Sequence, residues 1–434
     1  MTIPEEAREQ LIKNKQMGMT WTALARWLDE SYGVQVHRTT VQRWFDREVY
    51  TVELDDEVEF TSEDRLKLDK KVAAFKAEAS HWKKLYGTAV KKSAQSEAVI
   101  DAVQNLLPAM SAVPVQPPHV DSVTTTPQTV IAPLTDTHVG DRVEGDQMVG
   151  LNEYSIDIFH RRLYGWHTQL LQLVELRRKF APINKLIVPM LGDMISGDIH
   201  EELARTNIDN CMGQMIRGAN MIAQALMGLS AHFTEIEVPC VVGNHGRMTR
   251  KPPMKDKFMD WDYMLYQWVA TLCREQTNIK FDIPKSFVNS FDVDGRKILI
   301  MHGDSVSGAG SATSIVNSIT KMRSVFQYKR LMDLETGNGG NIPSHFDSVF
   351  MGHFHRVDEI DIGTGEVHIC GTMKGGDEFA LQRLAVITRP KQIATYWHPQ
   401  YGCVGKEIIY LNRYDTDGKM FKDEINEIWS NSLV

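Results

Sequence analysis

Residues 130–141, VIAPLTDTHVGD, form a short apolar run that breaks at Asp136, Thr137 and His138. This is the pattern of a buried strand that ends in polar side chains. In an extended chain alternate side chains share a side, so Asp136 and His138 are expected to reach one ion together. The same grammar recurs further along. KLIVPMLGDMISGD (185–198) runs into Gly192 and Asp193, and EVPCVVGNHGR (237–247) into Gly243, Asn244 and His245. RKILIMHGD (296–304) ends in His302, Gly303 and Asp304, and DSVFMGHFHR (347–356) in Gly352, His353, Phe354 and His355. A glycine before the polar residues permits the tight turn that lifts a side chain from a strand end into a loop.

Taken singly, each motif has a plain structural explanation. His302 or His353 suits a hydrogen-bonded core position, an Asp after a strand suits a helix N-cap, and Gly-Asn-His suits a turn. Five such endings in order, each on a strand-like run, point instead to ligands gathered at one edge of a sheet. Hydrolysis of an anionic phosphodiester needs charge neutralisation and a nucleophile available near neutral pH. Two divalent ions roughly 3.5–4 Å apart supply both. Mixed His, Asp and Asn donors suit manganese, iron or zinc, and magnesium less well.

The series DTH, GD, GNH, HGD and GHFH resembles the calcineurin-like metallophosphoesterase superfamily, over roughly residues 130 to 400 and not the N-terminal third. The resemblance implies an α/β fold of two packed mixed β-sheets flanked by helices, a four-layer sandwich with a dinuclear centre on the strand-end loops. It implies that Asp136, His138 and His355 hold a first metal, that Asn244, His302 and His353 hold a second, and that Asp193 bridges them. His245 would face the substrate as a proton donor or as a stabiliser of phosphate charge, with a metal-bridging hydroxide as nucleophile. Manganese is the ion the resemblance favours.

One feature departs from the family pattern. Many members follow Gly-Asn-His with Glu or Asp, whereas here Gly246 and Arg247 follow, so a carboxylate that would orient His245 is missing there. Arg247 is expected to offer its planar fork to a substrate phosphate. Asp304 is expected to orient His302 through the second ring nitrogen. Asp198 and His200, close after Asp193, are candidates to line the cleft, and Lys374 in GTMKGGDEF (371–379) is a candidate to meet an anion.

The N-terminal third has a different composition. Over residues 1–52, Trp21, Leu24, Ala25 and Leu28 repeat at helical spacing behind Thr20, and Val41, Trp44 and Phe45 do so behind Thr39. Two short helices joined through Ser31-Tyr32-Gly33-Val34 resemble a helix-turn-helix. Arg38, Thr40, Gln42, Arg43 and Arg47 on the second would then face a DNA groove. A trihelical docking domain with solvated arginines is the alternative. Residues 53–107 read as a helical stalk. Leu68, Val72, Phe75, Ala79, Trp82, Tyr86 and Ala89 keep heptad spacing, which suggests a homodimer through 62–107. Between 65 and 92, Arg65, Lys67, Lys70, Lys71, Lys76, Lys83, Lys84, Lys91 and Lys92 face only Asp69 and Glu78, a basic run suited to phosphates or to solvent. Residues 108–128, with Pro108, Pro114, Pro117, Pro118 and Pro127, read as a semi-extended linker, and the catalytic domain is expected over 129–434.

A formal charge of -8 argues against a uniformly basic nucleic-acid binder, which is why the local basic run matters. Five scattered cysteines without a CxxC pair suggest neither a disulfide framework nor a zinc knuckle. With an acidic start and no long apolar run, a cytoplasmic protein that does not enter a membrane is expected, in the host cytoplasm if phage-encoded. Similar domain combinations occur in phage and prophage proteins. The expected function is a DNA nuclease or DNA-end-processing phosphodiesterase. A small-molecule or cyclic-nucleotide phosphodiesterase and a DNA-binding scaffold with a vestigial site are the alternatives.

Overall fold

The computed structural model describes residues 4–16, 19–34, 36–48, 109–118, 120–306, 310–336 and 345–415. The chain divides into two compact units, Met1–Gly87 and Thr88–Val434. The expected heptad seam and its lysines at 62–107 lie outside the described residues.

The first unit contains three helices, α1 (Glu5–Gln16), α2 (Trp21–Tyr32) and α3 (Arg38–Glu48). Thr20 caps α2 by accepting from the Ala23 amide, and Gly33 ends it in a left-handed conformation. Leu24 and Leu28 of α2 and Val41 of α3 are buried together with Ala7 and Leu11 of α1. Helix α1 was not among the two helices expected, because Ala7, Leu11 and Ile12 are a thin apolar stripe in EEAREQLIKNKQ. The helix α3 also starts earlier than Thr39. The His37 ring contacts the Thr39 hydroxyl at 2.9 Å, and the His37 carbonyl accepts from the Thr40 amide at 2.8 Å. Arg38, Thr40 and Gln42 are exposed on α3. The side chains of Arg43 and Arg47 lie outside the described residues.

The second unit contains eleven described strands, β1 (Thr129–Ile131), β2 (Lys185–Ile187), β3 (Glu235–Pro239), β4 (Ile279–Asp282), β5 (Val288–Val293), β6 (Arg296–Met301), β7 (Ser348–Met351), β8 (Asp358–Asp361), β9 (Glu366–Ile369), β10 (Lys391–His398) and β11 (Gly402–Tyr410). Its described helices are α4 (Ile156–Arg178), α5 (Glu201–Thr206), α6 (Cys211–Ser230), α7 (Trp261–Leu272), α8 (Ala312–Thr336) and α9 (Glu378–Leu384). One sheet has the order β11-β10-β1-β2-β3-β4 and the other β5-β6-β7-β9-β8. In the first, β1 to β4 run parallel, β10 pairs antiparallel with β1, and β11 pairs antiparallel with β10; in the second, β6, β7 and β9 run parallel and β5 and β8 antiparallel.

Strand alternation builds the layers. Val130, Leu186, Val238 and Ala394 face outward under α4, α6 and α7, while Ile131, Ile187 and Ile393 face inward to meet Ile298, Ile300 and Phe350 of the other sheet. Leu299, Met301, Val349 and Met351 turn the opposite way, beneath Ile315, Ile319 and Phe326 of α8. Each such fully buried side chain contributes roughly 1.5–3 kcal/mol. The result is the four-layer arrangement of two mixed sheets flanked by helices.

The proline-rich segment is not a free linker. The Met110 amide donates to Leu272 at the end of α7, Gln116 to Ala231 after α6, and Val123 and Thr124 to Lys179 and Phe180 after α4. Gln276 brackets Val113 through both its amide atoms. The strap satisfies carbonyls that helix C-termini leave without partners, and it extends the packed unit N-terminal to the expected start at 129. No described helix is long and apolar enough to cross a membrane.

Candidate metal centre

Five loops converge where parallel strands end. Asp136 and His138 follow β1, Asp193 follows β2, and Asn244 and His245 follow β3; His302 follows β6, and His353 and His355 follow β7. Both sheets therefore contribute. Asp136, His138, Asp193, His353 and His355 have φ of 50°, 43°, 52°, 68° and 53°. Asp136 and His138 therefore converge through left-handed turns and not by alternation along an extended strand, since β1 ends at Ile131. A non-glycine residue held there costs on the order of 1–3 kcal/mol and persists only where neighbours fix it.

The neighbours are visible. Asp136 accepts at its side chain from Thr135 Oγ1 at 2.6 Å and from the His353 amide at 3.1 Å, and its carbonyl accepts from Thr372 Oγ1 at 2.9 Å. Asp193 Oδ1 accepts from the amides of Asn244 and His245, both at 2.8 Å. That fixes Oδ2 toward His302 Nε2 at 3.1 Å and His138 Nε2 at 3.9 Å. The close approach requires glycine at 243, where a Cβ would stand 2.1 Å from Asp193 Oδ1, and at 352, where it would stand 2.4 Å from Asp136 Oδ2.

Around Asp193 the donor atoms fall into two groups. His355 Nε2 lies 3.2 Å from Asp136 Oδ1 and 3.1 Å from His138 Nε2. His302 Nε2 lies 3.1 Å from Asn244 Oδ1 and 3.3 Å from His353 Nδ1. Ligand atoms about 2.0–2.2 Å from one ion stand roughly 3–3.5 Å apart, so these spacings are those of donors around a cation. His302 Nδ1 donates to the Leu191 carbonyl at 2.7 Å, which leaves Nε2 with a free lone pair. Asp136, His138 and His355 form one set and Asp193, His302 and His353 another, while a third, His138, Asp193 and His245, lies between them. The donor set fits two divalent ions.

The charges agree. Burial holds the His138 imidazole well below its usual range and His353 down at about 4, so both rings are neutral donors. Burial acts to raise the Asp193 carboxyl, yet His302 and His245 outweigh it and keep it ionised. Burial likewise acts to lower His302, and Asp193 outweighs it, raising His302 to about 10. These last two shifts describe one ion pair. A bound cation would take the place of that proton.

His245 sits beside the donors, its ring centroid 4.6 Å from that of His138, and its Nδ1 donates to the Ser196 carbonyl at 2.8 Å. A backbone carbonyl thus does what the missing acid after Gly-Asn-His would do, and Nε2 is left for chemistry. Burial, followed by the Lys374 and His355 charges, lowers the ring's pKa, against an opposing pull from Asp193. His200 is exposed, with its ring 6.2 Å from that of His245, and Asp198 is exposed nearby in sequence.

Three expectations are corrected. Arg247 spends its fork on its own loop, donating from Nη1 to Asn244 at 2.8 Å, from Nε to Thr249 at 3.0 Å and from Nη2 to Arg250 at 3.2 Å, so it braces backbone in place of meeting phosphate. Asp304 does not orient His302, whose Nδ1 is taken by Leu191; both its oxygens accept from Lys257 Nζ at 2.8 Å. Lys374 is buried and held by Asp141 at 2.9 Å and Asp377 at 2.6 Å, which withdraws it from any substrate.

Sequence reasoning missed Asp262. Its Oδ2 accepts from the amides of Asp193 at 2.8 Å and Gly243 at 3.0 Å, and its Oδ1 from Met194 at 3.0 Å, tying two ligand loops to α7. Arg162 was also missed. Its buried guanidinium donates to the carbonyls of Met373 and Lys374, both at 2.7 Å, and pairs with Asp415.

No protein-family model and no curated protein matches the chain. Similar solved structures include an archaeal phosphodiesterase (10% identity, 64% of this chain and 99% of that one, TM-score 0.27). A hypothetical protein from Pyrococcus horikoshii OT3 is 11% identical over 70% of this chain and 94% of its own, with a TM-score of 0.32. Vps29 complexed with zinc from Entamoeba histolytica is 13% identical over 65% and 99%, with a TM-score of 0.24. Likeness at this level says nothing about activity, which is read from the donor geometry alone.

Proposed function

We propose that this chain is a two-metal phosphodiesterase acting on nucleic acid, as a DNA nuclease or DNA-end-processing enzyme. The carrying observation is Asp193, whose Oδ1 is locked by two amides while Oδ2 faces donors of both groups. When bound, two divalent ions would neutralise phosphate charge and make a water nucleophilic near neutral pH. Asp136, His138 and His355 would hold one, Asn244, His302 and His353 the other, and Asp193 both. Manganese is the first choice, by family resemblance.

The chain's own residues divide the remaining work. The Ser196 carbonyl holds His245 by its Nδ1 proton, so that the ring, once an anionic phosphate beside it brings Nε2 its own proton, can give that proton to the leaving oxygen or hydrogen-bond the phosphate. Asp262 and Arg247 hold the loops that carry Asp193 and Asn244. Arg38, Thr40 and Gln42, exposed on α3, with Arg43 and Arg47, supply a DNA-facing helix in the first unit. A homodimer through 62–107 would pair two such units.

The test compares manganese-dependent cleavage of DNA with that of bis-para-nitrophenyl phosphate, for wild type and His245→Ala. Loss of one proton-transfer or charge-stabilising group lowers turnover of both by roughly 10²–10⁴ with metal content retained. Turnover of the small ester with no action on DNA at low salt would refute the nuclease reading and favour a small-molecule phosphodiesterase. Absence of bound metal with retained DNA binding would favour a scaffold.

A further inference from the structure

Directly after Asn244 and His245 the chain leaves the site and returns to it. The Trp261 amide donates to the Gly246 carbonyl at 2.8 Å, and Arg247 bridges antiparallel to Asp260, closing a neck. Within that neck both feet of the loop are pinned to ligand segments. Arg247 donates to the Asn244 carbonyl, and Lys257 pairs at 2.8 Å with Asp304, two residues past His302. Between the feet runs MTRKPPMKD (248–256), where Arg250, Lys251 and Lys255 are exposed and have no ion pair among the described residues. From 247 to 257 five cations oppose Asp256 alone, within a chain of net charge -8.

The tip is apolar. Met254 is 94% exposed, the most exposed large apolar side chain among the described residues, and it follows two prolines that stiffen the backbone. An isolated apolar tip flanked by unpaired cations suits neither a free surface nor a protein core. It suits a duplex, whose phosphates take the cations while an apolar wedge enters between base steps.

We infer that loop 248–256 is a nucleic-acid grip. Arg250, Lys251 and Lys255 contact backbone phosphates of duplex DNA, and Met254 inserts against the bases, delivering a phosphodiester to the metal loops at the foot. This rests on the reading of the site as a nucleic-acid phosphodiesterase, and names how that substrate is held.

The experiment uses the full chain carrying His245→Ala and a fluorescent DNA duplex, with affinity measured across a salt series. Removing three phosphate contacts with R250A/K251A/K255A makes the slope of log K against log salt shallower by roughly 2–3. M254A leaves that slope alone and abolishes the fluorescence rise of a 2-aminopurine placed in the duplex, which reports unstacking. In the active chain the triple variant lowers DNA cleavage at least tenfold relative to ester turnover. An unchanged slope together with parental 2-aminopurine fluorescence in M254A overturns the inference. If wild type cleaves DNA and the loop variants bind like their parent, the grip alone fails. If wild type turns over the ester and never binds DNA, the substrate reading fails and the grip with it.

Discussion

Lys374 offers the sharpest test of how the site is supported. Its ammonium is 3% exposed and lies between Asp141, three residues past His138, and Asp377, the N-cap of α9. Met373 and Thr372, just before it, donate to the Asp136 carbonyl. In K374M two carboxylates lose the lysine that pairs with both, and breaking such a buried pair costs about 3–5 kcal/mol. That corresponds to a fall in Tm of roughly 4–7 °C for a unit of this size. The sign of the pH dependence follows from Asp377. Burial acts to raise its carboxyl, and Lys374 outweighs burial and holds it at about 2, below the ordinary 3.8. A depressed carboxyl contributes stability present above the unfolded value and lost as pH falls through about 2. Without the lysine, burial is opposed only by the weaker pull of the Ala380 amide and His355, so the folded carboxyl titrates higher and the penalty is greatest at neutral pH. Thermal unfolding at pH 7 and again near pH 3 should therefore show a large gap between wild type and K374M that shrinks by about half or more at the lower pH. A loss under about 1 kcal/mol, or an equal gap at both, would refute the electrostatic account.

Two further outcomes follow from backbone geometry. G243A places a methyl 2.1 Å from Asp193 Oδ1, so metal affinity and turnover should collapse while far-UV circular dichroism stays native; wild-type metal content in the variant would show that the close approach is not needed. D262A leaves the amides of Asp193, Met194 and Gly243 without their acceptor, and metal affinity measured by calorimetry should drop roughly 10–100-fold, as for other groups that orient ligands. Unaltered affinity would make Asp262 a stabilising residue only.

The residues gathered at the strand ends were legible because each apolar run stops at a glycine or a metal-competent side chain, a pattern written locally. The four layers were expected only from the family resemblance; a continuous apolar run does not sort Leu186 from Ile187, and the structure places them on opposite faces. The supports were not legible. Asp262 sits in MDWDYM at the start of a helix, where an acid reads as an ordinary cap beside Asp260, and its bonds reach back 69 residues. Arg162 reads as a solvated helix residue, and only tertiary packing buries it. The left-handed turns at Asp136 and His138 were hidden because a non-glycine residue gives no local sign of positive φ. The missing acid after His245 was noticed, but its replacement is the Ser196 carbonyl, and backbone carbonyls are invisible in a sequence motif.

The central claim is that Asp193 joins two metal positions. Metal content of the chain loaded with manganese and freed of excess ion, measured by mass spectrometry for wild type and D193A, tests it most directly. The account predicts two ions per wild-type chain and a loss of at least one, with phosphodiester hydrolysis, in D193A. One ion or none in an active wild-type chain, or two retained in D193A, would contradict it.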